Sequence, residues 1–373
     1  ILGGHNLYTA GSGSTIGAGI TVRMYSSWST VGGGTDHYMY IAYGVIAGGH
    51  NNWLYGYSST IGGGMYNSAY GKWSTSAGGH YNKAMGYSTT INGGYWNWAS
   101  GYQSQVGGGA YNWAGGYRSS ISGGAYNGVY SSYSSVGGGQ SNYVYVAHAN
   151  IAGGHNNYIY GYSSSVGGGI YNSCYGSWSR VGGGKWNRVY STTTVIGGGY
   201  YNWNYGRYGF IGGGSENDIN TDWYNAIVGG NENYVYSYAA AIGGGTANVI
   251  GSNWGFIGGG VANDVYGEAS SVIGGYDNYA SSTWSSVLGG RYNYAQGSHA
   301  AVIGGMYNHV YASHAHVNGG YSSYIYAAHT MIGGGNNNWM YGYSAAIQGG
   351  HYNSAYASWS SVAGGHYNKV YSA

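Results

Sequence analysis

The chain has 373 residues, among them 80 Gly, 50 Tyr and 14 Trp, with no Pro, one Cys and 5% charged side chains. A net charge of +2 gives no electrostatic basis for binding nucleic acid, and no apolar run approaches the roughly 20 residues of a membrane-spanning helix, so membrane insertion is not expected. Disordered chains are charged, poor in aromatics and carry Pro, so this aromatic-rich, periodic chain is expected to be an ordered repeat protein.

The repeat is a fifteen-residue unit, seen cleanly as IAGGHNNYIYGYSSS from Ile151 and VGGGIYNSCYGSWSR from Val166. Units open at Ile1, Ile16, Val31 and onward to Ile211, then resume at Ile227 and continue to Val362. Of the 25 starts, all are spaced by 15 except the unit from Ile211 to Ala226, which has 16 residues. No signal peptide is visible. The chain begins without Met at the first position of a unit, and is read as a processed product or part of a longer protein.

Within a unit, the first element is a β-rich stretch over positions 14 to 2, with Ile or Val at position 1 in every unit but the one that opens at Ser76. A glycine turn follows, with Gly at position 4 of all units and at position 3 of all but one, where Ala18 stands. Such a run permits φ > 0 or close backbone approach. A helix would lose about 1 kcal/mol at each of these glycines. Asn at position 7 suits the exit of the turn, and stacked units predict an amide ladder. Positions 8 to 10 alternate aromatic, aliphatic, aromatic, as in Tyr158-Ile159-Tyr160. That alternation predicts a second strand with position 9 inward and positions 8 and 10 displayed. Positions 8, 10 and 13 hold most of the Tyr and Trp, while positions 11 and 14 are small.

Two short strands and two turns per fifteen residues describe one coil of a solenoid. The expected fold is all-β: a β-solenoid (parallel β-roll) of about 25 coils, with residues 1–373 as a single continuous repeat domain. One coil cannot bury its apolar residues alone, whereas stacked coils can. At roughly 4.8 Å per coil the expected rod is on the order of 120 Å long.

Taken along the chain, the first candidate surface is the run of position-10 tyrosines Tyr130, Tyr145, Tyr160, Tyr175, Tyr190 and Tyr205. It recurs as Tyr311, Tyr326, Tyr341, Tyr356 and Tyr371. Stacked rings one coil apart rigidify the column, and a long exposed aromatic face suits lateral packing between chains or stacking of sugars. Cys174 occupies an apolar position and is expected to be a buried, inert thiol. Seven of the eight acidic residues lie between Glu216 and Asp277, beginning in the sixteen-residue unit. Glu216, Asp218, Asn220, Asp222 and Glu232 are oxygen ligands that a Ca²⁺ ion would accept; the competing reading is a solvated, bulged acidic patch. His299, His314 and His329 repeat at position 13 without a Cys or carboxylate partner, and are read as exposed rungs. No Ser, His and Asp recur in a fixed relation, and the glycine runs precede no helix, so no enzymatic activity is expected.

The segment Y-G-x-x-S-x-V-G-G-G, with Tyr175, Gly176, Ser179, Val181 and Gly184, resembles the A-x-G-x-x-S-x-A-x-G repeats of trimeric autotransporter adhesin heads. It is still more similar to the G-G-G-Y-N-N-T-A-S-G-N-Y-S-T-V arrays of bacterial surface proteins. The resemblance covers the whole chain and implies a left-handed parallel β-roll, an extracellular or cell-surface location and a trimeric assembly. Two functional expectations follow. One is a structural subunit that assembles with itself into an extracellular filament. The other is the head of an adhesin that binds host or matrix glycans or proteins.

Overall fold

The computed structural model describes residues 1–221 and 223–372, which form two compact units, Ile1–Trp186 and Asn187–Ala373. Each unit is a parallel β-solenoid, and no helix occurs among the described residues.

In the first unit every coil contributes two two-residue strands. One covers positions 8 and 9, such as Tyr38–Met39 and Trp53–Leu54; the other covers positions 15 and 1, such as Val45–Ile46 and Thr60–Ile61. Each strand pairs in parallel with its counterpart fifteen residues on, for example Met39 with Leu54 and Ile46 with Ile61. A third contact, absent from the expected pattern, is a single-residue bridge at position 5 that links Thr35 to His50 and His50 to Met65. The expected stretch from 14 to 2 is therefore shorter than its β-rich composition suggested, and the coil has three β-contacts rather than two. The second unit follows the same scheme from Arg188–Val189 to Lys369–Val370.

Positions 1 and 9 point inward, as Ile46, Leu54, Ile61, Val166 and Cys174 show, each fully buried. Even Ser76, which breaks the apolar pattern at position 1, is fully buried. Position 14 adds a small buried residue in most coils, such as Ser59 and Ser74.

Two corners of the coil run through left-handed backbone, in many coils on residues with bulky side chains. Position 6 does so at Tyr66 (φ 57°) and Tyr81 (φ 58°), and position 13 at Trp73 (φ 55°). Large residues at φ > 0 are uncommon. The geometry has a clear return here: the peptide turns so that its N–H donates to the preceding coil, Tyr66 to the carbonyl of His50 (3.0 Å) and Trp73 to that of Tyr57 (2.9 Å). Strand N–H groups point the other way, as from Trp53 to Asn67 (2.9 Å). Each coil is thus bonded in both directions.

The glycine at position 4 is a further left-handed site. Gly64 has φ 82°, and a Cβ there would strike the carbonyl oxygen of Gly79 in the next coil. Asn at position 7 completes the turn from inside. Asn67 is fully buried and donates through Nδ2 to the carbonyls of Gly63 and Gly79, both at 2.9 Å. Its Oδ1 accepts the N–H of Asn82 at 3.0 Å. The amide ladder is real, but its rungs bind mainly to backbone. It begins at Asn52, since Leu7, Val22 and His37 occupy the position before it. His37 keeps the pattern by accepting the N–H of Asn52 on Nδ1 (3.3 Å), and burial lowers its pKa.

In the second unit the sixteen-residue repeat keeps both strand registers. Asp218 and Ile219 pair with Tyr234 and Val235, and Ile211 pairs with Ile227. The extra residue is absorbed at a corner, where Trp223 (φ 73°) and Tyr224 (φ 59°) are left-handed in succession. Asn225 fills the buried place that Ser or Thr takes in many other coils, and its Oδ1 accepts the N–H of Ala240 at 2.9 Å.

Candidate functional site: aromatic columns on the coil face

Position 10 follows directly on the strand at positions 8 and 9. Its N–H is fixed to the next coil, as from Tyr145 to the carbonyl of Ile159 (3.0 Å). The side chain therefore projects from one spot on every coil, and the rings stack. In the first unit Tyr130, Tyr145, Tyr160 and Tyr175 have successive centroid spacings of 5.2, 4.8 and 5.0 Å and are within 8° of parallel. In the second, Tyr190 stacks on Tyr205 at 4.2 Å. There too, Tyr311, Tyr326, Tyr341, Tyr356 and Tyr371 follow at 5.1, 5.0, 4.9 and 4.8 Å. Tyr145 and Tyr160 are each about two-fifths exposed (42% and 41%). Burial and neighbouring phenols push the Tyr145 hydroxyl up to about 12, so this group stays a neutral phenol at physiological pH and keeps its hydroxyl as a donor.

Three further columns escaped the sequence reading. Tyr25, Tyr40, Tyr55 and Tyr70 form an earlier position-10 stack, at 5.3, 4.8 and 4.9 Å. Position 6 carries Tyr66 on Tyr81 (4.7 Å), Tyr111 on Tyr126 (4.8 Å) and, in the second unit, Tyr292 on Tyr307 (4.9 Å). Position 12 stacks Tyr87 on Tyr102 at 4.7 Å. The fifteen-residue spacing was the available signal for all of them.

The acidic candidates are only partly brought together. Asn220 donates to Asp218 at 2.8 Å. Glu216 and Glu232 are exposed at position 6 of successive coils, where the N–H of Glu232 bonds the carbonyl of Ser215 at 3.0 Å. Asp222 lies outside the described residues. Among those described, no three His, Cys, Asp or Glu side chains are grouped to hold a metal ion. The histidines His299, His314 and His329 are exposed and stack face to face at 4.6 and 5.0 Å. Cys174 is buried, and burial drives its thiol up to about 12, the condition of an unreactive sulfur.

Burial raises the Asp218 carboxyl to about 6, against 3.8 for the free group. A carboxyl raised on folding binds its proton more tightly in the native state. Its contribution therefore strengthens the fold as pH falls through 6 toward 4, and weakens it above 6. Asp218→Asn should raise stability at pH 7.5 by about 1 kcal/mol, after allowance for solvent screening, with the gain gone by pH 4. Thermal melts across that range check it, and a pH-independent difference would contradict the assignment.

Comparison with protein-family models and with curated proteins gives no match.

Proposed function

We propose that the chain is a non-enzymatic, extracellular structural subunit that assembles with copies of itself into cell-surface filaments. The observation that carries this reading is the set of displayed Tyr columns. Each is a flat, regular, neutral face of stacked rings, and contiguous exposed apolar surface of this kind marks an interaction surface. With 5% charged residues and a net charge of +2, little repulsion opposes side-by-side contact. Regular rows at one spacing match identical rows on a second copy. The likeness to bacterial surface repeats supports the extracellular location.

Sedimentation and electron microscopy of the purified chain over a range of concentrations test the reading. Growing bundles are expected, and Tyr145→Ser combined with Tyr160→Ser should slow their growth. Particles of one chain's mass at high concentration would overturn it. A discrete three-chain particle would favour the trimeric adhesin head instead.

A further inference from the structure

The position-8 column runs between the columns at positions 6 and 10, and its floor drops to Ser at Ser68, Ser173 and Ser354; Ser68 and Ser354 are the two with a Trp one coil before and a Lys one coil after. Ser68 lies in the first unit and Ser354 in the second, and both side chains are buried (6% and 4% exposed). Each leaves a notch, of about 230 Å³ over Ser68 and about 360 Å³ over Ser354.

The two notches are built alike. Over Ser68 one wall is Tyr66 on Tyr81 (4.7 Å, 10°) and the other ends in Tyr70, stacked on Tyr55 (4.9 Å, 2°). Over Ser354 the walls are Tyr352 on Tyr367 (4.9 Å, 10°) and Tyr341 on Tyr356 (4.9 Å, 1°). One coil before each Ser stands a Trp, Trp53 or Trp339; one coil after stands a Lys, Lys83 or Lys369. The stretches 51–83 and 337–369 agree at 24 of their 33 positions, and every difference falls outside this set of Trp, Ser, Lys and walling Tyr. A uniform repeat need not keep such a set together twice.

From this arrangement we infer that each notch binds a short segment of an acidic polysaccharide, with a uronate residue seated over the Ser. Three features of the notch select that class. The parallel Tyr faces and the Trp offer flat surfaces against which the C–H face of a pyranose ring packs. The phenol and Ser hydroxyls line the rim with groups that donate to and accept from sugar hydroxyls. The Lys ammonium supplies the one full charge. No Asp or Glu lies between Asp36 and Glu216 or after Asp277, so neither Lys has an acidic side chain within two coils. Lys83 is also held in place, its Nζ 4.8 Å from the centroid of the Trp98 ring. The notch is open along the stack, where the rise from ring to ring is close to the length of one sugar along an extended polysaccharide. The inference does not depend on the filament reading, since a dispersed chain carries the same notches.

Titration of the whole chain with tetragalacturonate, and with cellotetraose as the neutral counterpart, tests it by calorimetry and Trp fluorescence. The acidic tetramer should bind more tightly, and less so as salt is raised. Ser68→Tyr and Ser354→Tyr fill the notches with the residue that many other coils carry at position 8, so folding is retained and circular dichroism verifies it. Each should remove one bound tetramer per chain. Lys83→Gln with Lys369→Gln should weaken the acidic tetramer about fivefold and leave cellotetraose unaffected. An unchanged number of bound tetramers in the doubly filled chain would overturn the site. Equal binding of the two tetramers, untouched by the Lys variants, would overturn the acidic class.

Discussion

Val166→Asp is expected to open its own coil and the two that flank it, at a cost of several kcal/mol. Val166 is fully buried at position 1 and pairs on one side with Ile151 and on the other with Val181. A carboxylate there would sit in the core between Ile151 and Val181, where an uncompensated charge is costly. Because coils stabilise one another as neighbours, the damage should be local. Hydrogen exchange should show lost protection over residues 151–186 of the first unit with its distant coils intact, and Val166→Ile, which places there the residue Ile151 already supplies, should be tolerated. Unchanged protection in the Asp variant would refute the inward placement of position 1.

Asn142→Leu ranks second, at on the order of 3–5 kcal/mol. The side chain is of similar size and the site is buried, so packing alone would predict a small effect. The carboxamide, however, donates to the carbonyls of Gly138 and Gly154, both at 2.9 Å, and accepts the N–H of Asn157 at 3.1 Å. Leu leaves the Gly138 carbonyl and the Asn157 N–H without these partners, and the Gly154 carbonyl with only the N–H of Gln140 (2.9 Å). Chemical denaturation of the variant should show the loss. A change below 1 kcal/mol would mean that water or a shifted backbone takes over these bonds.

Much of the coil was legible in its residues because each of its chemical demands is met by one residue type. Only Gly fits position 4 against the carbonyl of the next coil, and positions 1 and 9 take apolar or small residues in nearly every coil, the buried Asn204 being an exception. The alternation in Tyr158-Ile159-Tyr160 placed one strand and the displayed ring column correctly. The bridge at position 5 was not legible, since a one-residue contact leaves no alternation, and its occupants range from His50 to Met65 to Ala110. The left-handed corners were hidden for a stronger reason. Tyr66 and Trp73 have no local preference for φ > 0, so that conformation is imposed by the coil before them, which a reading of local propensity does not contain. The aromatic columns at position 6 were missed with those corners. At the acidic cluster, residue types suggested a shared ligand set, while the fold gives Asp218 a bond to Asn220 and places Glu216 and Glu232 apart from it at the exposed position 6.

The left-handed corners also govern how such a chain acquires its structure. Each non-glycine residue held there costs of order 1 kcal/mol in isolation, and a lone coil has no predecessor to accept the N–H groups that those corners redirect. The first coils must therefore form uphill, and every later one adds to a template already shaped to receive it. Folding should be nucleated and should propagate along the stack, with refolding that lags behind and then accelerates. Unfolding should require far harsher conditions than those that prevent the nucleus from forming.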